Sequence, residues 1–358
     1  MTGNKRKGNP FCRRSTVERN RVTIRDVAKY AGVSHQTVSR VINGREQVTT
    51  ETRQTVENAI QVLGYRPNAS ARSLAAGKTN TIACISPNLV DYTFAAIIEG
   101  AELMARQHGY FLLAASAPSE IEFSALIEQL YESRRIDGLL VINPYIDHRT
   151  DFLPDKFPTI FIGDVSSRSE VGWVALDDEN AGYQATHHLV ELGHRNILCI
   201  LGQEYEACTQ DRKQGYITAL KQAGVSVRSE WILTGDWTAT SAYHLILQAL
   251  KEGVAFTAIF AQNDRMAIGA IRALRDLGIR VPDQVSVIGV DDMPLASYFD
   301  PSLTTISQDM NTIGQEAARL LIERITQPES QQSYRRFPVK LENRKSTAQI
   351  MQEGGGNQ

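Results

Sequence analysis

At 358 residues, 42% of them hydrophobic, the chain has room for two or three domains and a large buried core. No apolar run reaches the roughly 18 residues of a membrane span, and the basic N-terminus lacks a secretory apolar stretch, so a cytoplasmic protein is expected. The formal charge of −2 hides an asymmetry: residues 1–78 carry +10 and the remainder −12, a basic head suited to a polyanion on an acidic body.

Residues 1–21 read as a disordered arm, with Lys5, Arg6, Lys7, Arg13, Arg14, Arg19 and Arg21 offering sequence-blind attraction to phosphates. From Val22 to Asn43 the spacing predicts two short helices joined by a tight turn. Thr23 caps the first, Ile24, Val27, Ala28 and Ala31 form its apolar stripe, and Gly32 ends it. Ser34 caps the second, whose Val38, Val41 and Ile42 face inward. His35, Gln36, Ser39, Arg40 and Asn43 stay on the open face, and such side chains read base edges in a major groove. This is the helix-turn-helix pattern. A helical hairpin used only for packing is the alternative, and the charge of the head argues against it. A third helix is expected over Thr50–Leu63, stopped by Gly64. Between Arg66 and Lys78, Pro67 and Gly77 bracket a helix too short to persist unsupported, which suggests a linker.

After Thr79 the texture changes to strands alternating with amphipathic helices. Strands are expected at Thr81–Ser86, Tyr110–Ala115, Gly138–Asn143, Thr159–Gly163, Gly172–Leu176, Ile197–Gly202, Trp231–Thr234, Ala258–Ala261 and Val285–Val290. Helices are expected at Phe94–Gln107, Glu179–Leu192, Arg212–Ala223 and Asp264–Leu277. The alternation argues for parallel sheets covered on both faces, and the span fits two similar halves better than one sheet. In open sheets of this kind ligands sit beyond the carboxyl ends of the strands. Asp164, Asn263, Asp264, Asp291 and Asp292 follow strands, Arg212 opens a helix, and Trp237 stands in a Gly-Asp-Trp loop. Acids and an amide bond hydroxyls while an indole packs on a sugar's C–H face, so the set suits a polyhydroxylated ligand. Taken singly, each fits a helix cap or surface loop better than a ligand contact; only the set, gathered at strand ends, points to a small-molecule pocket. No phosphate-binding glycine loop, HExxH or GxSxG occurs, and His187-His188 point apart on a helix; neither enzymatic activity, cofactor nor metal is expected. Cys12, Cys84, Cys199 and Cys208 form no CxxC pair, and a reducing compartment suits them.

The stretches Thr23–Ala28 and Val33–Asn43 closely resemble the lactose/galactose repressor (LacI/GalR) family. So do Tyr65-Arg66-Pro67-Asn68-Ala69, Gly193-His194-Arg195, Asn263-Asp264, Gly289-Val290-Asp291-Asp292 and Leu303-Thr304-Thr305-Ile306, in family order over about residues 22–347. The resemblance implies a repressor of carbohydrate genes that binds a palindromic double-stranded DNA operator as a homodimer and answers to a small sugar-like effector. It implies a helix-turn-helix head (22–66), a hinge helix (67–78), a core (79–347) of two doubly wound halves like periplasmic binding proteins of type I, and a tail (348–358). Three crossovers would join the halves, 80–177 with 308–334 and 178–307 with 335–347. His35, Gln36 and Arg40 match base-reading positions, and His35 stands where the lac repressor has tyrosine. Leu74 matches the hinge leucine that wedges into the minor groove. Thr23, Ser34, Thr37, Ser39, Asn43, Asn68 and Ala71 complete the implied DNA set, and Asp164, Arg212, Trp237, Asn263, Asp291 and Met310 the effector set. The lac repressor's C-terminal leucine-repeat helix has no counterpart, so a dimer is expected. A solute-binding receptor and a Rossmann-type enzyme are the other classes; the basic head opposes the first, the missing phosphate loop the second.

Overall fold

The computed structural model describes residues 22–42, 44, 47–66, 78–163, 171–329 and 334–350. The expected arm, hinge and terminal tail fall largely or wholly outside these, as do five of the expected site residues, Asn43, Asn68, Ala71, Leu74 and Asp164. The chain divides into two compact units, one ending at Gly77 and the other starting at Lys78.

The first unit holds α1 (Ile24–Ala31), α2 (His35–Ile42) and α3 (Thr50–Leu63). Thr23 starts α1 through a capping box: its hydroxyl accepts the Asp26 N–H at 3.4 Å, and the Asp26 carboxylate accepts the Thr23 N–H at 2.8 Å. Gly32 and Gly64 end α1 and α3 with φ of +64° and +60°, conformations that burden any residue with a Cβ. The Ser34 hydroxyl accepts the Thr37 N–H at 3.1 Å and so caps α2. Val27, Ala28, Val38, Val41, Val56 and Ala59 form the small core that the three apolar stripes share.

The second unit contains two sheets. In the first lie β1 (Thr81–Ser86), β2 (Phe111–Ser116), β3 (Gly138–Asn143), β4 (Thr159–Gly163), β5 (Gly172–Leu176) and, late in the chain, β11 (Tyr334–Phe337). The second is built from β6 (Ile197–Leu201), β7 (Ile232–Thr234), β8 (Ala258–Ala261), β9 (Ser286–Asp291), β10 (Thr304–Ser307) and β12 (Lys340–Glu342). Their orders, β11-β5-β4-β3-β1-β2 and β12-β10-β9-β8-β6-β7, repeat one winding. All pairings are parallel except β12, which runs antiparallel to β10. Residues 335–337, expected in the second half, hydrogen-bond to β5 and belong to the first sheet.

Alternate residues along each central strand feed opposite faces, as the two-residue strand period requires. Ile82, Cys84, Leu140 and Ile142 pack under α4 (Tyr92–Gln107) and α10 (Met310–Thr326), and Ala83, Ile85, Leu139 and Val141 under α5 (Glu120–Glu132). In the second lobe α6 (Asp178–Glu191) and α7 (Ala207–Gln222) cover one face, α8 (Ala239–Lys251) and α9 (Asp264–Asp276) the other. The chain passes between lobes three times, after β5, β10 and β11. His194 ties the C-terminal segment down, its ring nitrogens meeting Thr257, Ser286 and the Ala348 carbonyl at 2.9–3.1 Å.

Candidate functional site

On the head, Val38 and Val41 turn inward, which leaves His35, Gln36 and Arg40 exposed and Thr37 and Ser39 half-buried on the outer face of α2. Thr23 and Ser34 are exposed, with hydroxyls already engaged as caps. Backbone geometry therefore presents three long polar side chains on a helix of eight residues, in a region of strong positive charge.

In each sheet of the second unit the strand order reverses, between β1 and β3 and between β6 and β8, the place where open α/β sheets bind ligands. There the two lobes enclose a cavity of about 380 Å³. Phe94, Ile142 and Met310 wall it from the first lobe, Arg212, Trp237, Asn263 and Asp291 from the second. Five of the six expected effector residues thus come together; Asp164 is outside the described residues, one position beyond the cavity-lining Gly163.

Arg212 does not open its helix as expected: α7 begins at Ala207 and Arg212 lies on the second turn. It is almost wholly buried. Its Nε donates to Asp178 at 2.7 Å, one terminal nitrogen to the Gln262 carbonyl at 2.5 Å and the other to Gln308 at 3.4 Å. Burial is the largest single influence and opposes the charge, but the Asp178 carboxylate and its hydrogen bond, together with Cys208 and Asp291, outweigh it and keep Arg212 protonated. Asn263 is equally committed. Its amide oxygen caps α9 through Met266 N–H at 2.8 Å and its nitrogen donates to the Trp237 carbonyl at 3.1 Å, so it fixes the loop that carries the indole. That loop has left-handed backbone at Trp237, φ +69°. The ring lies over Gly202, where a Cβ would come within 1.9 Å of it.

Asp291 contrasts with these. Its side chain accepts no hydrogen bond among the described residues, and its backbone sits at φ +117°. Burial raises its carboxyl well above the usual carboxylate range; Arg212 draws it back, whereas Asp264 and Asp91 push it further. Asp264, expected as a candidate, lies beneath the cavity: it accepts the Thr305 hydroxyl at 2.5 Å and the Met293 N–H at 2.8 Å. Asp292, also left-handed at φ +56°, is held by Arg344 at 2.5 Å. Together these contacts pin the turn that aims Asp291.

Sequence reasoning missed several polar groups on the cavity wall, Glu206, Asp91 and Arg265 among them. Glu206 accepts the Trp237 indole N–H at 2.8 Å, and burial pushes its carboxyl up to about 7 despite that bond. Asp91 caps α4, and Arg265 on α9 reaches across to it. A cap motif was the available signal for Asp91, obscured because α4 starts at Tyr92 rather than at Phe94.

Residues 23–68 match the family described as bacterial regulatory proteins, lacI family, and residues 186–347 match the periplasmic binding protein-like domain. The HTH-type transcriptional repressor PurR of Erwinia tasmaniensis is 38% identical over 327 residues, which span 90% of this chain and 96% of the relative. The chain belongs to the LacI family. Among solved structures, the lac repressor dimer bound to operator and the anti-inducer ONPF is similar with a TM-score of 0.83 and 31% identity, over 91% of this chain and 99% of that one. A complex of the transcriptional regulator CelR with cellobiose gives 0.70 and 33%, over 91% and 100%. Membership makes the chain a regulator of transcription with a DNA-binding head and a ligand-binding core. No helix among the described residues is long and apolar enough to cross a membrane.

Proposed function

We infer that this regulator represses transcription as a cytoplasmic dimer, placing α2 of each head in successive major grooves of a near-palindromic operator, and that a small sugar-like molecule in the core cleft sets its grip. It acts by binding and carries no enzymatic step. Two heads on one dimer match two half-sites through symmetry. His35, Gln36 and Arg40 read bases, with Thr23, Ser34, Thr37, Ser39, Asn43, Asn68 and Ala71 positioning the backbone and Leu74 entering the minor groove.

The observation that carries the effector reading is Asp291, an acceptor carboxyl with no hydrogen bond among the described residues, on the wall of a cleft that Trp237 and the fixed Arg212 guanidinium also line. Vicinal hydroxyls of a sugar satisfy such a carboxyl, and the Trp237 ring takes the C–H face. Asp164, Arg212, Asn263 and Met310 complete that site. The neighbour solved with cellobiose supports a carbohydrate ligand. An effector alters operator affinity only by preferring one arrangement of the lobes, and the coupling is reciprocal.

The test is selection of operators from random duplex DNA by the full chain, followed by titration of the selected duplex with and without a panel of mono- and disaccharides. Enrichment of a palindrome whose affinity one sugar shifts is the expected result. No enrichment rejects the repressor reading; enrichment with no sugar raising melting temperature or shifting affinity rejects the carbohydrate effector.

A further inference from the structure

Among the described residues, two contacts away from the crossover segments join the lobes at the cavity wall. One is a short backbone seam, where Ile146 N–H donates to the Tyr205 carbonyl at 3.0 Å and Ala207 N–H to the Pro144 carbonyl at 2.8 Å. The rings of Tyr145 and Tyr205 lie 5.8 Å apart beside it. The other is an ion pair, from the Arg265 guanidinium of the second lobe to the Asp91 carboxylate of the first.

Both members of that pair are prepared for it. Asp91 uses one carboxylate oxygen to accept the Thr93 N–H at 3.0 Å and the Thr93 hydroxyl at 2.6 Å, which locks its rotamer and leaves the second oxygen for Arg265. Arg265 stands in the first turn of α9, where the positive end of the helix disfavours a cation. The Asp91 carboxylate brought by the first lobe offsets that placement. The charges of Asp91 and Arg265 also both act on Asp291, Asp91 raising its carboxyl and Arg265 lowering it. The pair therefore sits within electrostatic reach of the group that would hold the effector. It is partly solvated, with 35% of the Arg265 side chain and 14% of the Asp91 side chain exposed, so a modest separation of the lobes lets water replace it.

We propose that Arg265 and Asp91 form an electrostatic latch across the cleft, which sets how often the empty core opens. Arg265 is here a positioning residue: it fixes the spacing of the lobes around the ligand site. The closure itself stands apart from any effector, whereas its consequence for operator binding rests on the function proposed above.

Amide hydrogen exchange on the full, ligand-free chain tests this. The Ile146 and Ala207 amides lose protection only when the seam parts, whereas those of Leu140 and Leu198, in central strands, report on general stability. Asp91→Asn retains a capping side chain. That variant and Arg265→Gln are each expected to speed exchange at both seam amides about five- to thirty-fold, with Leu140 and Leu198 unchanged. The double variant is expected to be no faster than either single one, since both remove one interaction. Seam exchange at the original rate, acceleration of the central strands to the same degree, or additive effects in the double variant would overturn the latch. Operator affinity measured in parallel separates the two levels: a looser seam with unchanged affinity removes the link to transcription and leaves the latch standing.

Discussion

Asp291 is the residue on which this molecule concentrates unfavourable features: a left-handed backbone, burial, two neighbouring carboxylates and no hydrogen bond of its own among the described residues. Backbone strain of this kind is worth on the order of 1–3 kcal/mol and persists where surroundings enforce it. Here Asp264, Thr305 and Arg344 do so. Asp291→Ala is accordingly expected to keep operator affinity and lose the response to effector in a DNA-binding titration; a normal response would remove Asp291 from the site. Glu206 makes a prediction in pH. Its folded value of about 7 lies above the ordinary 4.5, so the folded chain holds this proton more tightly than the unfolded one. Its stabilising contribution is full below about pH 4.5 and is lost as pH rises through 7. Glu206→Gln should therefore raise stability at pH 8, by up to roughly 3 kcal/mol, and leave it nearly unchanged at pH 4.5. Thermal melts at the two pH values check this. On the head, Arg40→Ala is expected to relax base choice at one operator position, at about 1–3 kcal/mol. Equal weakening on every sequence would make Arg40 a phosphate contact instead.

Pairs of helices cross at glycines, and this spacing places the polar residues. A Cβ at Gly182 would come within 2.0 Å of the Arg212 carbonyl, and one at Gly215 within 2.0 Å of the Glu179 carbonyl. So α6 and α7 meet backbone to backbone, which brings Asp178 of one helix to Arg212 of the other. Gly100 and Gly314 do the same for α4 and α10. Gly182→Ala must push α6 and α7 apart, at about 1–3 kcal/mol; a denaturant midpoint unchanged from the parent would refute the close crossing. Much of this level was legible in the sequence. The bounds of β1, β3, β4, β5 and β8 follow from apolar runs between turn residues, and those of α3 from its apolar spacing and terminal glycine. What escaped has physical reasons. The edge strand β11, Tyr-Arg-Arg-Phe, is largely exposed, so it carries no buried run, and β12 has three residues. Strand ends revealed Asp291 and Trp237 as candidates, but Asp91, Glu206 and Arg265 lie on caps and first turns, and only the closure of two lobes brings them to one cavity.

At the scale of the whole molecule, β2 is an edge strand of the first sheet among the described residues, and its Phe111 is 78% exposed with Leu113 beside the same surface. An apolar edge of this kind invites pairing unless a partner covers it. Phe111→Glu is expected to shift the chain toward monomer in sedimentation and to weaken operator binding with it; an unchanged dimer would place the interface elsewhere. The three passages between lobes carry one more consequence, for the order in which the protein matures. The three helices of the head are complete once Leu63 has been made, whereas the first sheet waits for α10 and β11, and the second for β12. During synthesis the cell therefore holds nascent chains whose operator-reading element is finished while both lobes of the sensor still expose an uncovered flank. A chain cut short before Met310 would retain all of α2, with His35, Gln36 and Arg40, and lack the helix and strands that complete both lobes.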